Sequence, residues 1–230
     1  MKIAVVGLDI APGKVKYPDE KMEKLVEKFS PGKVSPFFVE FQGEVTPAAD
    51  AIVSARSRIL DVLIPDIEKM ETRLRNTTSE PERTLVSRCL QALEQETPLC
   101  DLAPLSDEEQ SLIKVLAPLS VKPTVVLETL PPVNAVISAI LAKAQTVFFY
   151  TAGKKEVKSW PIRAGSDILT CAGKIHSDLA RGFIKGEVVS FSDFMSVFNM
   201  QEAKSRGLVK LVDRGHIIQD GDIIEIRFNV

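Results

Sequence analysis

Residues 150–188 read YTAGKKEVKSWPIRAGSDILTCAGKIHSDLARGFIKGEV, and this stretch decides the fold of the C-terminal part of the chain. Strand patterns over 146–150 and 156–162 are followed by a helical pattern over 167–178 and by a third strand pattern over 185–191. One more strand is predicted over 223–228, and glycine-containing turns separate the segments. Two strands, a helix and then further strands predict a compact α+β domain of the ubiquitin-like β-grasp type.

The first 43 residues alternate short strands with one helix. An apolar strand is predicted over 2–6, a short second strand over 15–17, and a third over 37–41. Between the last two, Asp19 is expected to cap a helix that ends at Pro31-Gly32. Strands that alternate with helices in this way predict an α/β sheet.

Residues 44–118 carry a helical spacing of apolar side chains. Thr46 followed by Pro47 predicts the start of a helix, and apolar residues then recur from Ile52 at intervals of three, four and seven. Pro65 is expected to kink or split this helix. Two capping boxes are expected further along, at Ser79 with Glu82 and at Ser106 with Glu109. The pattern predicts packed antiparallel helices, with a partner-binding groove as the alternative.

Several separated blocks of the C-terminal region stand in one order. They are YTAG at 150–153, EVKSW at 156–160, AGKIHSD at 172–178, GFIKGEV at 182–188, and QDGD at 219–222 with RFNV at 227–230. Together they resemble the C-terminal TGS domain of the YchF, or Obg-like ATPase, family. Weaker similarity at 17–22 and 105–109 resembles the GTPase domain of that family, which also carries a long helical insertion.

The resemblance implies a truncated homologue with two domains. Residues 1–145 are expected to form the remnant of a GTPase-like α/β domain, with a degenerate P-loop-like sheet and a helical insertion at about 46–95. Residues 146–230 are expected to form the TGS β-grasp domain.

The nucleotide motifs of that family are altered in this chain. The stretch GLDIAPGKV at 7–15 has five residues between its glycines where a P-loop has four, and Val15 has no hydroxyl for magnesium. Gly13-Lys14-Val15 is therefore expected to begin the next strand. QGE at 42–44 and ETLP at 128–131 stand where the family has D-x-x-G and N-x-x-E. We therefore expect a pseudo-GTPase that is not an enzyme, with no catalytic residue, cofactor or metal site; the alternative is residual ATP or GTP binding or hydrolysis.

Four potentially cationic side chains fall within twelve residues of the predicted TGS domain. They are Lys174, His176, Arg181 and Lys185. A compact cluster of this kind can bind phosphate or carboxylate groups, so these are the candidate partner-binding residues. A solvated charged face is the alternative interpretation.

The partner expected from the resemblance is a protein or an RNA, with the ribosome and translation machinery as the first candidates. The helical region 44–110, with 14 acidic and 7 basic residues, offers a second route, as a regulatory contact to a full-length relative. Homo-oligomers are compatible with the sequence, whereas DNA is not an expected partner. The lack of an apolar run of about 18 residues argues against a membrane span, and three scattered cysteines suggest free thiols in the cytoplasm.

Overall fold

The computed structural model describes residues 1–229, so Val230, the last residue of the predicted TGS domain, lies outside the described part. The chain forms two compact units. The first is made of Met1–Val15 and Phe38–Ala144, and the second is made of Lys16–Phe37 and the chain from Gln145 on.

The described residues contain both strands and helices. The strands are β1 (Lys2–Val6), β2 (Gly13–Lys16), β3 (Lys33–Ser35), β4 (Phe38–Gln42), β5 (Ala51–Ala55), β6 (Thr124–Leu127), β7 (Thr146–Ala152), β8 (Glu156–Arg163), β9 (Phe183–Val189), β10 (Lys210–Val212) and β11 (Ile223–Phe228). The helices are α1 (Glu20–Phe29), α2 (Leu60–Asn76), α3 (Glu80–Glu94), α4 (Asp107–Leu116), α5 (Val133–Lys143), α6 (Ile168–Ile175), α7 (Ser177–Arg181), α8 (Phe191–Met195) and α9 (Met200–Ser205). None of these helices combines the length and the hydropathy that a membrane crossing requires.

The first unit is built on a five-stranded sheet in the order β2-β4-β1-β5-β6. β1 pairs in parallel with β4 and β5, and β5 pairs in parallel with β6. Parallel strands of this kind are normally covered by helices, which explains why β1 and β5 are almost entirely apolar. The predicted α/β sheet is present.

Strand β5 occupies a segment for which the sequence predicted a helix. All five of its residues are buried, and it lies between β1 and β6 in the sheet. A continuous apolar run without clear alternation suits a central parallel strand as well as a buried helix. The spacing of apolar residues alone therefore could not distinguish the two. The helices of the predicted insertion begin later, with α2 at Leu60, and α2 continues through Pro65 without a break.

The two predicted capping boxes have different outcomes. At α4, Ser106 accepts from the amide of Glu109 and the Glu109 carboxylate accepts from the amide of Ser106, as predicted. At α3, Ser79 makes no side-chain cap. Glu82 is buried instead, and it accepts hydrogen bonds from Arg73 at 2.6 Å and from Thr77 at 2.5 Å. The charge-assisted hydrogen bond from Arg73 compensates the burial of the Glu82 carboxylate, so this side chain does not reach back to cap the helix.

The second unit is built on a six-stranded sheet in the order β10-β9-β11-β7-β8-β3. β7 and β8 form an antiparallel hairpin, and β11 pairs antiparallel with β9 and in parallel with β7. Helix α6 covers one face through a core that includes Phe149, Ile168 and Cys171. This mixed α+β arrangement agrees with the predicted strand and helix order, and the TGS type remains a prediction.

Residues 16–37 lie with the second unit, although the sequence placed them in a domain that ends at 145. Strand β3 extends the sheet by pairing in parallel with β8. Tyr17 stacks on Phe148 with ring centroids 5.5 Å apart, and Asp19 accepts a hydrogen bond from the buried Tyr150. Contacts between residues so far apart in sequence leave no local signal, so a linear boundary could not include them.

Candidate functional site

Three of the four predicted partner-binding residues lie on helix α6, on helix α7 or at the junction between them. Asp167 begins α6 by accepting from the amide of Thr170 at 2.8 Å, and Ile168, Cys171 and Ala172 hold the helix against the core. His176 lies between the two helices in extended conformation. Helix α7 follows directly, so the polar residues of this helix pair lie on a rigid, packed element.

The charges on this helix pair are partly neutralised within it. Asp178 forms an ion pair with Arg181 at 2.8 Å and lies 3.5 Å from Nδ1 of His176. Nδ1 of His176 also accepts the amide hydrogen of Asp178 at 3.2 Å. Lys174 is exposed and makes no ion pair among the residues that the structure describes. The helix pair therefore presents one unpaired cation beside a shared Arg–Asp pair.

Lys185 lies on the other face of the sheet. A Cβ at the neighbouring Gly186 would lie 1.9 Å from Cδ1 of Ile168, so Gly186 faces α6. Successive residues of a strand point to opposite faces, so Lys185 points away from α6. Its ammonium group pairs with Asp213 at 2.5 Å. The four predicted residues therefore form two separate groups.

Two carboxylates were missing from the sequence-based cluster. Asp178 stands three positions before Arg181, a helical spacing that could have revealed their pairing. Asp213, 28 positions after Lys185, reaches that lysine only through the folded sheet, so the sequence gives no signal for it.

The residues after β1 are the second place where the sequence suggested chemistry. The chain leaves β1 at Gly7 with a φ of 67° and reaches β2 at Gly13, as the sequence predicted for Gly13-Lys14-Val15. A Cβ at Gly7 would lie 2.5 Å from Cγ of Arg58 and 3.3 Å from Cβ of Ala55. Arg58 is held there by a 2.5 Å ion pair with Asp61. The stem of Arg58 thus fills the space directly beside Gly7.

The three cysteines are free thiols, as the sequence predicted. Burial raises the pKa of Cys89 to about 11 and that of Cys171 to about 12. Burial also raises the pKa of Cys100. All three are therefore thiols rather than reactive thiolates near neutral pH.

Comparison with known proteins places the C-terminal region in a described family. Residues 146–229 match the family model described as YchF-GTPase_C, a protein of unknown function (DUF933). The chain is 42% identical over 98 residues to the ribosome-binding ATPase YchF of Mycoplasma genitalium, a match that covers 43% of this chain and 27% of the relative. It is 40% identical over 94 residues to the human Obg-like ATPase 1, covering 41% of this chain and 24% of the relative. The chain thus spans about a quarter of the length of these relatives.

The fold also resembles a solved structure over almost its full length. The structure of the Schizosaccharomyces pombe YchF GTPase covers 99% of this chain, and this chain covers 97% of it, with a TM-score of 0.78 and 17% identity. At this level of identity the likeness concerns the fold alone.

One expectation from the sequence is wrong. The chain was expected not to be an enzyme, whereas its relatives are named ATPases. The comparisons point to an ATPase or GTPase enzyme family.

Proposed function

We propose that this chain, whose C-terminal region is similar to the YchF and Obg-like ATPase family, binds the ribosome through a C-terminal domain of the TGS type. The observation that carries the proposal is the domain match over residues 146–229. Relatives in Mycoplasma genitalium and Bacillus subtilis are named ribosome-binding ATPases. The cytoplasm is the compartment that this proposal implies.

The proposed contact surface is the outer side of α6 and α7, with Lys174, His176 and Arg181. Lys174 is exposed and unpaired among the described residues, and Arg181 keeps donors beyond its bond to Asp178. Ribosomal RNA phosphates and acidic ribosomal protein surfaces both suit such donors. Lys185 faces the other side of the sheet, so it serves as the comparison residue.

Co-sedimentation of the full chain with purified ribosomes tests this proposal. Replacing Lys174 and Arg181 together by alanine should weaken binding about tenfold and reduce its dependence on salt. The matched variant Lys185→Ala should bind like the parent. If the double variant bound ribosomes as well as the parent, or if Lys185→Ala weakened binding as much as the double variant, the interface would lie elsewhere on the protein. The absence of any ribosome binding by the parent would refute the proposal itself.

A second candidate function is ATP or GTP binding by the first unit, which the names of the relatives favour. We propose that its phosphate loop is degenerate and that its affinity for nucleotide is lower than that of a complete P-loop. The position of Arg58 beside Gly7 supports this, because backbone amides there have little room to surround a phosphate. Calorimetry with magnesium and each nucleotide is the test. A low micromolar Kd, which is about −8 kcal/mol, would contradict it.

A regulatory contact with a full-length relative remains a third proposal. The acidic region 44–110, which includes α2 and α3, is the surface that would carry it. Binding of this chain to such a relative, in the absence of ribosomes, separates it from the first proposal.

A further inference from the structure

A groove of about 590 Å³ opens in the second unit where two strands of the sheet diverge. β11 pairs with β7 at a single position, Ile223 opposite Tyr150. Beyond this point β7 continues only to Ala152, whereas β11 continues to Phe228. The space between the strand ends is lined on one side by the turn at 153–155 and on the other by β11.

Main-chain groups from both strands point into this groove. The amide of Tyr150 donates to the carbonyl of Asp222 at 2.9 Å. This hydrogen bond shows that the main-chain groups of Tyr150 point towards β11 and that those of Asp222 point towards β7. Because main-chain groups alternate along a strand, the amide and carbonyl of Ala152 and of Ile226 face the groove. Neither residue pairs with the opposite strand there. An unpaired strand edge of this kind is a ready template for another extended chain.

The floor of the groove is apolar. Ile175 and Leu179, from α6 and α7, line it and are half-buried. Phe228 at the open end of β11 leaves 48% of its surface exposed. These side chains can accept the apolar residues on one face of an added strand, whose alternate residues would face the opposite side.

The rim of the groove carries unneutralised positive charge. Its two carboxylates already have partners, because Glu156 pairs with Lys33 at 3.0 Å and Glu225 lies 3.5 Å from Lys204. Lys154 and Lys155 are exposed and form no ion pair among the residues described. The amides of Gly32 and Lys33 donate to the carbonyls of Lys154 and Lys155, so the main chain that carries both lysines is fixed.

We propose that this groove binds an extended, acidic segment of another protein, which pairs as an added strand with Ile226 of β11 and with Ala152. The main chain supplies the pairing, the apolar floor selects alternate apolar residues, and Lys154 and Lys155 select aspartate or glutamate. This inference does not depend on ribosome binding, since the partner is defined by its backbone and charge.

Selection from a random peptide library of about 12 residues on the full chain tests the proposal. Enriched peptides should combine acidic residues with alternating apolar ones. In hydrogen exchange, the amides of Ala152 and Ile226 should exchange rapidly in the free protein and become protected when a selected peptide binds. Replacing one peptide residue by proline should abolish this protection, because proline removes the donor.

Charge variants provide the matched controls for the selected peptide. Reversal at both Lys154→Glu and Lys155→Glu should weaken peptide binding at least about tenfold, while Lys210→Glu, at the far edge of the same sheet, should leave it unchanged. The proposal is overturned if no peptide is enriched, if the enriched peptides are basic, or if protection maps to another surface. It is also overturned if both amides are already protected in a dimer of the free chain, since a second copy then occupies the groove. Ribosome co-sedimentation of the same variants is scored separately.

Discussion

The hydroxyl of Tyr150 lies 2.8 Å from each carboxylate oxygen of Asp19, a residue 131 positions earlier in the chain. Both side chains are buried, and Asp19 also caps α1 by accepting from the amide of Met22 at 3.1 Å. One carboxylate therefore begins a helix and joins that helix to β7. This pair ties residues 16–37 to the second unit.

Removing the hydroxyl by Tyr150→Phe should destabilise the second unit by about 1.5–3 kcal/mol, because the buried Asp19 then loses a charge-assisted hydrogen bond. Trp160 is the one tryptophan of the sequence and lies on β8, so its fluorescence during urea unfolding reports on this unit. Tyr17→Phe is the control, since Tyr17 contributes a stacked ring rather than this bond. An unchanged midpoint for Tyr150→Phe would show that the bond contributes little.

The same carboxylate should make stability fall as pH rises. Burial raises the pKa of Asp19 above its ordinary value of 3.8, although the Tyr150 hydroxyl and the Met22 amide oppose this. A raised folded pKa means that the folded state binds more protons, so its stabilising contribution is complete below pH 3.8 and is lost as pH rises through the folded pKa. Asp19→Asn should therefore gain stability relative to the parent across that window. If the difference in the free energy of unfolding between Asp19→Asn and the parent did not change with pH, this prediction would be contradicted.

Glu187 should give the opposite pH dependence. Burial raises its pKa, but hydrogen bonds from Lys204 and Arg227 outweigh this and hold the pKa below 4.5. Its contribution is therefore present above pH 4.5 and is lost as pH falls through the lowered folded pKa. Glu187→Gln should lose about 2 kcal/mol of its free energy of unfolding near neutral pH. Its stability should also fall less steeply than that of the parent as the pH is lowered. Glu225→Gln, on the exposed side of the same lysine, should behave almost like the parent.

Gly186 should not tolerate a methyl group unless Ile168 becomes smaller. A Cβ there would lie 1.9 Å from Cδ1 of the fully buried Ile168 and 3.2 Å from Val212. Gly186→Ala should therefore cost about 1–3 kcal/mol through overpacking. Adding Ile168→Val removes the clashing methyl. The double variant should therefore lose less free energy of unfolding than the two single variants together, by about 0.5 kcal/mol or more. Strict additivity would show that the strand shifts instead.

Asp66 should be an essential anchor of the first unit. Its fully buried carboxylate accepts from the amide of Leu119 at 2.7 Å, and from the amide and hydroxyl of Ser120 at 2.8 and 2.7 Å. Asp66→Ala leaves these donors unpaired, so a loss of about 3 kcal/mol or more is expected by circular dichroism during urea unfolding. Asp61→Ala, at an exposed position five residues earlier on α2, should cost under about 1 kcal/mol. A loss as small as that of Asp61→Ala would contradict this role.

The sequence predicted best where a signal is local. The hairpin of β7 and β8, helix α6 and the Ser106 capping box follow from alternation, turn residues and cap spacing, so they were predicted from short windows. β5 was missed because a fully buried strand and a buried helix share one apolar pattern.

The candidate site was harder to predict because its electrostatics depend on distant residues. The face on which Lys185 lies depends on the register of β9. Its charge is neutralised by Asp213, which directly follows β10. The groove beside β11 depends on where two strands separate, which no periodicity encodes. A count of cations within twelve residues could capture neither effect.

The inclusion of residues 16–37 in the second unit constrains the order of events during synthesis. Asp19, which caps α1, is synthesised 131 residues before its buried partner Tyr150. At elongation rates of about 5–20 residues per second, Met22 and Leu25 on the apolar side of α1 remain unburied for on the order of 10 s, until the residues that cover them are synthesised. The nascent chain therefore exposes an unsatisfied amphipathic helix until Tyr150 has been added. It can complete the second unit only after residues 38–144 of the first unit have been made.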